Sequence, residues 1–360
     1  MNAWSNKEFA GSSEILAEPM TAPLPSNETA RLVALHDYGI LDTPADPRTD
    51  VFVRLAADLF ETPISLVSLV DKDRQWFKAA VGLDASETSR DLAFCAHAIL
   101  APTEVMVVED AGLDPRFAGN ALVTGAPHIR FYAGAPVVSP EGFPLGTLCV
   151  IDRKPRKLDE AGRRRLADLA MGAASVLDLH RIAARLQHLA THDPLTGLAN
   201  RALFQPTLEA AVQDAVTGGA SCAVLYLDLD RFKLINDRFG HAGGDLVLRA
   251  AADRLRGSIR DSDIAARLGG DEFAVLLSGA NDSATAYETA SRIIEAFAAP
   301  VYIDNEPITI GTSIGFAMAP TDGQDSATLM RLADAALYHA KATGRGTSRS
   351  YQESLDAPPM

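Results

Sequence analysis

The chain has 360 residues, 47% of them hydrophobic, and a formal net charge of −14 at pH 7. This acidity argues against general binding to nucleic acid polymers or anionic membranes, although a small basic site for a nucleotide stays compatible with it. Three cysteines are too few, and odd in number, for a disulfide framework, which indicates a reducing compartment.

The two ends of the chain differ in character from the rest. Residues 1–25 mix Ser, Pro, Glu and Ala without periodicity and predict a flexible tail, as do residues 352–360. Neither a signal peptide nor an apolar stretch long enough to span a membrane is visible. We therefore expect a soluble cytoplasmic protein with no membrane partner.

Residues 26–157 alternate between helical patterns and β-compatible apolar runs. The order of these elements predicts an α+β domain in which helices flank an antiparallel sheet. The predicted helices are 27–48, which ends in the turn-rich LDTPADP, and 50–61; the predicted strands are 64–71, 76–83, 104–110 and two within 130–152.

Residues 158–190 form a long helical pattern whose apolar positions are spaced three and four apart, with one phase slip. Such a helix suits a coiled-coil-like connection that pairs with its copy in a homodimer. Packing of the helix on its own domain explains the pattern equally well. The apolar positions are Leu166, Leu169, Ala173 and Val176, then Leu179, Ile182, Leu186 and Leu189.

Residues 191–351 form a second predicted domain with the element order βαββαβ, which predicts a ferredoxin-like or palm-like sheet. Asp230 is placed to cap the first helix, which Gly240 ends. The predicted strands are 222–230, 263–268, 272–277 and 307–319, and the predicted helices are 231–240, 245–259, 284–300 and 325–344.

Two aspartates of this domain stand at strand ends, Asp228 after an apolar run and Asp271 in a tight turn. A carboxylate at such a place is costly unless its charge is used. Brought together from adjacent strands, the pair would hold Mg²⁺, and two metals so placed can activate a hydroxyl and stabilise a leaving pyrophosphate. Taken singly, each aspartate is explained as well by a turn. Gly269-Gly270 permit a hairpin with positive φ that leaves the backbone open to a ligand.

Four further polar residues have the chemistry to bind a nucleotide. Lys341 and Arg345, one helical turn apart around the end of the last helix, could hold its outer phosphates. The carboxylate of Asp245 can accept hydrogen bonds from the N–H groups of guanine, and the amide of Asn236 can both donate and accept. A basic helix end and a helix N-cap remain the ordinary alternatives.

Three segments of this domain resemble the signature regions of GGDEF-domain diguanylate cyclases. They are DLDRFKLINDRFGHAGGD (228–245), GGDEF (269–273) and DAALYHAKATGRG (334–346), and the opening THDPLTGLANR (191–201) agrees with them. That family joins two GTP molecules into cyclic di-GMP and releases two pyrophosphates, with one GTP on each subunit of a homodimer. The resemblance implies a nucleotidyltransferase with two Mg²⁺, or Mn²⁺, per active site.

The resemblance also implies a role for each matching position. These roles are metal binding by Asp228, Asp271 and the Leu229 carbonyl; catalysis by Asp271 with Gly269, Gly270 and Glu272; guanine recognition by Asn236 and Asp245; and phosphate binding by Lys341, Arg345 and the backbone around Phe232 and Lys233.

Arg260 and Asp263 form an RxxD pair five residues before Gly269. This is the spacing of the family's inhibitory site, which binds the cyclic di-GMP product. An arginine can address O6 and N7 of guanine, and a carboxylate can accept from its amine. The pair therefore predicts product inhibition, although RxxD is also common on ordinary surfaces.

Residues 30–175 resemble GAF domains, through ISLVSLVDKDRQWFKAAVGL (64–83), RDLAFCAHAI (90–99) and PLGTLCVID (144–152) among other pieces. GAF domains are sensory modules that commonly regulate an attached enzyme, and the fold does not reveal the ligand. Cys95 and His97 leave three interpretations open: tetrapyrrole attachment, metal or redox sensing with Cys149, and a buried small thiol beside a hydrogen-bonded histidine. The last is favoured.

The favoured function is thus a homodimeric diguanylate cyclase controlled by its GAF domain and by its product. Two alternatives belong to other classes: a catalytically silent cyclic di-GMP receptor that uses Arg260 and Asp263, and a GAF-based signalling scaffold. A silent receptor would require damage in the catalytic motif, and none is visible.

Overall fold

The computed structural model of the protein describes residues 21–355, so the remainder of the two predicted tails lies outside the described residues. Residues 21–25 have no regular structure, whereas residues 352–355 belong to the short helix Tyr351–Leu355. The described residues form two compact units, which meet between Ala184 and Arg185 in the sequence.

The first unit is built on one antiparallel sheet with the strand order β3-β2-β1-β6-β5-β4. This confirms the expected α+β fold, and the short elements β3, α3 and α4 are additions to it. Its strands are β1 (Ile64–Val70), β2 (Arg74–Val81), β3 (Glu87–Ser89), β4 (Met106–Val108), β5 (Phe131–Val138) and β6 (Pro144–Asp152); its helices are α1 (Glu28–Asp37), α2 (Pro47–Phe60), α3 (Phe94–Ala98), α4 (Ala121–Thr124) and the start of α5 (Glu160–Thr191).

Both faces of this sheet are covered, which explains why every residue of β1 and β6 is buried. Helices α1, α2 and α5 pack on one face through residues such as Leu35, Val53 and Leu166. On the other face lie α3 and the segment that contains Phe117. Two predicted boundaries need correction: α1 ends at Asp37 rather than at residue 48, and α2 begins at Pro47 rather than at residue 50. Pro47 occupies the first position of α2, and the Asp46 carboxylate accepts from the N–H of Arg48.

Helix α5 combines the two interpretations of its pattern. Leu166, Ala170, Ala173 and Leu177 are at most 1% exposed and belong to the core of the first unit. Further along, Leu179, Ile182, Leu186 and Leu189 are 44–62% exposed. The first part of the helix therefore packs on its own domain, while pairing of the second part with another copy stays a prediction.

The second unit has a five-stranded sheet with the order β13-β12-β7-β9-β8. Its central strands are antiparallel and follow the order expected of a βαββαβ fold, and β13 adds a parallel edge. The strands are β7 (Cys222–Leu229), β8 (Ile264–Gly269), β9 (Glu272–Ser278), β10 (Val301–Ile303), β11 (Glu306–Ile308), β12 (Thr312–Ala319) and β13 (Ser348–Ser350); the helices are α6 (Arg201–Val216), α7 (Phe232–Ser258), α8 (Ser283–Phe297), α9 (Ser326–Ala342) and α10 (Tyr351–Leu355).

Three element predictions in this unit need correction. Helix α6 was not predicted, and the single strand expected over 307–319 is divided, because β11 pairs with β10 in a separate hairpin. Helix α7 contains the expected break at Gly240, where φ is 68° and ψ is 179°, but it resumes at once rather than at residue 245.

The predicted cap of α7 was wrong. Arg231 precedes the helix with a φ of 60°, and no side chain caps it. The Asp230 carboxylate instead accepts from the hydroxyl of Ser313 at 2.8 Å and from the N–H of Gly346 at 3.0 Å. Asp230 therefore ties the segment after α9 to β12.

Within the described residues, no helix combines the length and apolar character required to cross a membrane.

Candidate active site

The end of β7 and the β8–β9 hairpin bring the acidic residues together. Asp228 lies directly opposite Glu272 on β9, and the N–H of Leu229 donates to the carbonyl of Asp271 at 3.3 Å. The sheet register thus gathers both predicted metal ligands, the Leu229 backbone and Glu272 at one edge of the unit.

The hairpin turn differs by one residue from the prediction. Gly269 pairs with Glu272, so the two turn residues are Gly270 and Asp271 rather than Gly269 and Gly270. Both glycines have positive φ, 154° and 53°, and a Cβ on either would meet no atom within 4 Å. Glycine is therefore required by the backbone rather than by packing, and the turn stays open to an approaching ligand.

Asp228 carries a charge that its surroundings oppose. Burial raises the pKa of its carboxyl, and the negative charges of Asp271 and Asp230 raise it further. The ammonium of Lys341 lies 2.9 Å from its Oδ2 and offsets part of this effect. A cluster of carboxylates that repel one another in this way is an environment that favours a bound cation.

The oxygen donors here fit a magnesium ion. Asp228, Asp271 and the Leu229 carbonyl supply the hard oxygens that Mg²⁺ prefers. Among residues 21–355, no group of three or more His, Cys, Asp or Glu side chains could hold a metal unaided. Such an ion would therefore complete its coordination with water and substrate phosphate, as Mg²⁺ commonly does.

Tyr226 is a neighbour of the catalytic motif that the sequence analysis missed. Burial raises the pKa of its hydroxyl to about 12, as do the charge of Glu272 and the hydrogen bond to that carboxylate. The hydroxyl therefore stays protonated beside the Glu272 carboxylate. The sequence does indicate this neighbour, because residues two apart on a strand lie on the same face of the sheet, as Tyr226 and Asp228 do on β7.

The break in α7 brings the two predicted guanine readers together. Asn236 precedes Gly240 and Asp245 follows it, and both side chains are half-buried. A Cβ on Gly244 would lie 2.1 Å from Oδ1 of Asn236. The Asn236 amide therefore rests on Gly244, immediately beside Asp245, and requires glycine at that position.

The predicted phosphate-binding residues surround the end of α9 and the start of α7. Helix α9 ends at Ala342, so Arg345 lies beyond it, with a φ of 64°, and not one helical turn from Lys341. Its guanidinium is 3.9 Å from the Asp230 carboxylate. The first turn of α7, with Phe232 buried and Lys233 exposed, has no side-chain cap, which leaves backbone N–H groups for an anion.

A cavity of about 440 Å³ adjoins this region. It is lined by the start of α7, residues 309–311 and residues 344–346. Of the predicted site residues the cavity touches Arg345 alone; Asp230 also lines it, whereas Asp228 and Asp271 do not.

In the RxxD pair, the Asp263 side chain is held by hydrogen bonds, whereas the Arg260 side chain faces solvent. The Asp263 carboxylate accepts from the N–H of Arg260 at 3.1 Å and from the N–H of Ser278 at 3.2 Å. The Arg260 side chain is exposed, and Arg292 of α8 binds the nearby Ser258 carbonyl at 2.7 Å. The turn therefore presents Arg260 to solvent beside an anchored carboxylate.

Of the cysteine and histidine singled out in the first unit, Cys95 is buried and His97 is half-buried. Cys95 is buried against the sheet, and the ring of His97 contacts Phe117 edge-on at 4.9 Å between centroids. All three cysteines are unpaired and buried.

Both domains match known protein families. Residues 190–347 match the family described as "Diguanylate cyclase, GGDEF domain", and residues 45–177 match the family described as "GAF domain". The two matches follow the order of the two units along the chain.

Individual relatives carry related names. Diguanylate cyclase TpbB of Pseudomonas aeruginosa is 43% identical over 203 residues, which are 54% of this chain and 47% of the relative. A cyclic di-GMP phosphodiesterase of the same organism is 35% identical over 344 residues, 93% of this chain and 56% of the relative. The chain thus spans about half the length of these two curated relatives.

Solved GGDEF domains are also similar. The GGDEF domain of TpbB from Pseudomonas aeruginosa is 46% identical with a TM-score of 0.42, and the match covers 43% of this chain and 97% of that one. The coiled coil and GGDEF domain of DgcB from Caulobacter crescentus, solved in complex with cyclic di-GMP, is 32% identical with a TM-score of 0.47 and covers 52% and 97% respectively.

Proposed function

Because the chain belongs to the GGDEF family of diguanylate cyclases and carries a GAF domain before its GGDEF domain, we propose that it condenses two GTP into cyclic di-GMP and two pyrophosphates. One observation carries this proposal above all. Asp228, the Leu229 backbone and Asp271 meet at one edge of the sheet, with Lys341 already in contact with Asp228.

Individual residues of this chain have separate proposed roles in the reaction. Asp228, Asp271 and the Leu229 carbonyl are the proposed ligands of Mg²⁺, or of Mn²⁺. When bound, the metal would neutralise phosphate charge and polarise the reacting phosphate. Asp271, at the tip of the open hairpin, is the proposed acceptor of the 3′-hydroxyl proton. Glu272 is oriented by the Tyr226 hydroxyl beside it.

Recognition of GTP rests on the neighbouring elements. Asp245 and Asn236, which adjoin one another across Gly244, are the proposed partners of the guanine edge, and adenine lacks the donors that a carboxylate would accept. Lys341 and Arg345 are the proposed phosphate contacts, together with the backbone at Phe232 and Lys233. Each of the two cations adjoins an aspartate, so phosphate and carboxylate would share them.

A homodimer and control by the GAF domain complete the proposal. Each subunit would present one GTP to the other, and the exposed apolar residues of the second part of α5 offer the pairing surface. The sparse, unpaired cysteines are consistent with a reducing compartment such as the cytoplasm.

The central test is synthesis of cyclic di-GMP by the purified full-length protein supplied with GTP and Mg²⁺, measured by mass spectrometry. We expect product from the wild type and none from Asp271→Ala. Asp253→Ala is the control, because that side chain is 75% exposed and its ion pair with Arg256 lies on the surface. Persistent synthesis by Asp271→Ala would remove Asp271 from its role. Product binding without synthesis would favour the silent receptor.

Product control has its own test. Arg260→Ala removes the exposed guanidinium that we propose as a ligand of cyclic di-GMP, and we expect the inhibition constant of added product to rise while the initial rate stays unchanged. Arg249→Ala, an exposed arginine of α7, is the control. An inhibition curve identical to that of the wild type would exclude Arg260 from the product site.

A further inference from the structure

Several hydrogen-bond donors converge on one sulfur atom inside the first unit. Cys95 lies on α3, above the sheet face that carries Ser68, Tyr132, Thr147 and Cys149. The hydroxyl of Thr147 donates to its Sγ at 3.0 Å and that of Tyr132 at 3.3 Å. Cys95 and these donors are at most 2% exposed. A neutral thiol is a weak acceptor, so this number of donors is more than packing requires.

Neighbouring residues make room for the arrangement. A Cβ on Gly134 would lie 2.1 Å from the Tyr132 hydroxyl, so only glycine lets that hydroxyl stand over β5 and reach Cys95. Gly134 is also the cross-strand partner of Cys149. The fully buried hydroxyl of Ser68 has no conventional partner among the described residues, and it is close enough to Cys95 to favour the thiolate.

Cys222 provides an internal comparison, because it is equally buried in the core of the second unit. Burial and the charge of Asp214 raise the pKa of Cys222 to about 11. Burial also acts to raise the pKa of Cys95, but the neighbouring polar groups of Cys149, Ser68, Thr147 and Tyr132 lower it overall. The neighbouring Cys95 sulfur, together with burial, raises the pKa of Cys149 well above its usual range, so the Cys149 thiol keeps its proton. Cys95 and Cys222 are thus both buried, but their pKa values are shifted in opposite directions.

We propose that Cys95 is a nucleophilic thiol that a small uncharged peroxide oxidises, with Cys149 as the thiol that resolves it. The Cys95 sulfur attacks one oxygen of hydrogen peroxide, the O–O bond breaks, and hydroxide leaves as Cys95 becomes a sulfenic acid. The Cys149 sulfur then attacks the Cys95 sulfur, the S–S bond forms, and water leaves. Overall, two thiols lose two electrons and two protons, and the peroxide is reduced to two waters.

The choice of oxidant follows from the burial. A charged or bulky oxidant would have to be desolvated or would not fit, whereas hydrogen peroxide is uncharged and close to water in size. Helix α3 has only five residues, so local opening of such a short element can admit a molecule of that size. A cellular dithiol would return the pair to its reduced state.

The test exposes the reduced full-length protein to hydrogen peroxide, then unfolds it in denaturant that contains dimedone, so that the trap reaches a buried sulfenic acid, and maps the peptides by mass spectrometry. We expect a Cys95–Cys149 disulfide in the wild type and a dimedone adduct on Cys95 in Cys149→Ser. Cys222 should react at least about ten-fold more slowly than Cys95, because its thiolate is disfavoured. The readout is chemical modification, so its result is independent of cyclase activity.

A second pair of variants separates the donors from mere packing. Thr147→Val keeps the shape of the side chain and removes the donor at 3.0 Å, so trapping at Cys95 in the Cys149→Ser background should slow several-fold. Ser65→Ala is the matched control, because that buried hydroxyl donates to the Cys149 carbonyl instead. Equal rates for Cys95 and Cys222, or equal slowing by Thr147→Val and Ser65→Ala, would overturn the proposal.

Discussion

Asp228 bears a charge that the folded protein disfavours and that the proposed metal requires. Burial, Asp271 and Asp230 raise its pKa, so the folded state binds this proton more readily than the unfolded state does. Asp228→Asn should therefore raise the melting temperature at pH 7 by about 2–4 °C, as roughly 1 kcal/mol does in a unit of this size, while it abolishes synthesis. Calorimetry without metal measures the change.

The difference in stability between Asp228→Asn and the wild type should depend on pH and on bound metal. As pH falls through the raised pKa of Asp228, the wild-type carboxyl takes up a proton and the advantage of the variant should shrink. Added Mg²⁺ should stabilise the wild type more than the variant, because the ion binds the folded ionised site. A variant less stable than the wild type at pH 7 would mean that the contact with Lys341 outweighs the repulsion.

Gly244 decides whether Asn236 can face guanine. Gly244→Ala places a methyl group 2.1 Å from Oδ1 of Asn236, so the amide must move away from Asp245. We expect the KM for GTP to rise about ten-fold, the equivalent of roughly 1.4 kcal/mol, with a smaller change in kcat. Steady-state kinetics measures both. Gly257→Ala, on the same helix with open space around it, should leave KM unchanged; a similar KM for the two variants would contradict the assignment.

The catalytic hairpin is held by a contact that joins distant segments. Arg267 on β8 donates to the Gly270 carbonyl at 3.0 and 2.8 Å and to both carboxylate oxygens of Asp193, which follows α5, at 3.1 and 3.2 Å. Asp193→Asn weakens the charged half of this contact, so the turn that carries Asp271 should become less ordered. We expect kcat to fall about ten-fold with little change in the KM for GTP.

The control for this contact is Asp253→Asn, which weakens an exposed aspartate–arginine pair on α7. It should leave kcat unchanged, because exposed pairs contribute little and this one does not touch the hairpin. If Asp193→Asn raised KM and left kcat intact, the contact would serve GTP binding rather than the order of the turn.

Elements of the second unit could be predicted where a short stretch of sequence indicates them by itself. The apolar runs of β7 and β9 are visible in the sequence, and pairing of these strands brings Asp228 and Asp271 together. The β10–β11 hairpin was missed although Asp304 and Asn305, both with positive φ, form its turn. By contrast, the Asp193–Arg267 contact joins residues 74 apart, and no local pattern reveals it.

At the scale of the whole molecule, α5 leaves apolar side chains without partners among the described residues of one chain. Leu179, Ile182, Leu186 and Leu189 are spaced by three, four and three residues, the repeat of a two-stranded coiled coil. Because the proposed reaction requires two GTP on facing subunits, association through this helix would determine whether any product forms. Specific activity should therefore fall when the wild-type protein is diluted below its dimerisation constant.

Leu186→Glu tests this association directly. The substitution places a carboxylate on the proposed seam, where burial against its copy would bring two like charges together without partners. We expect a monomer by light scattering and a loss of specific activity of more than about ten-fold at concentrations where the wild type is a dimer. Gln187→Glu introduces the same charge one residue away on the exposed helix and should change neither property. A dimeric Leu186→Glu protein, or a monomeric one with full activity, would exclude pairing through α5 as the basis of synthesis.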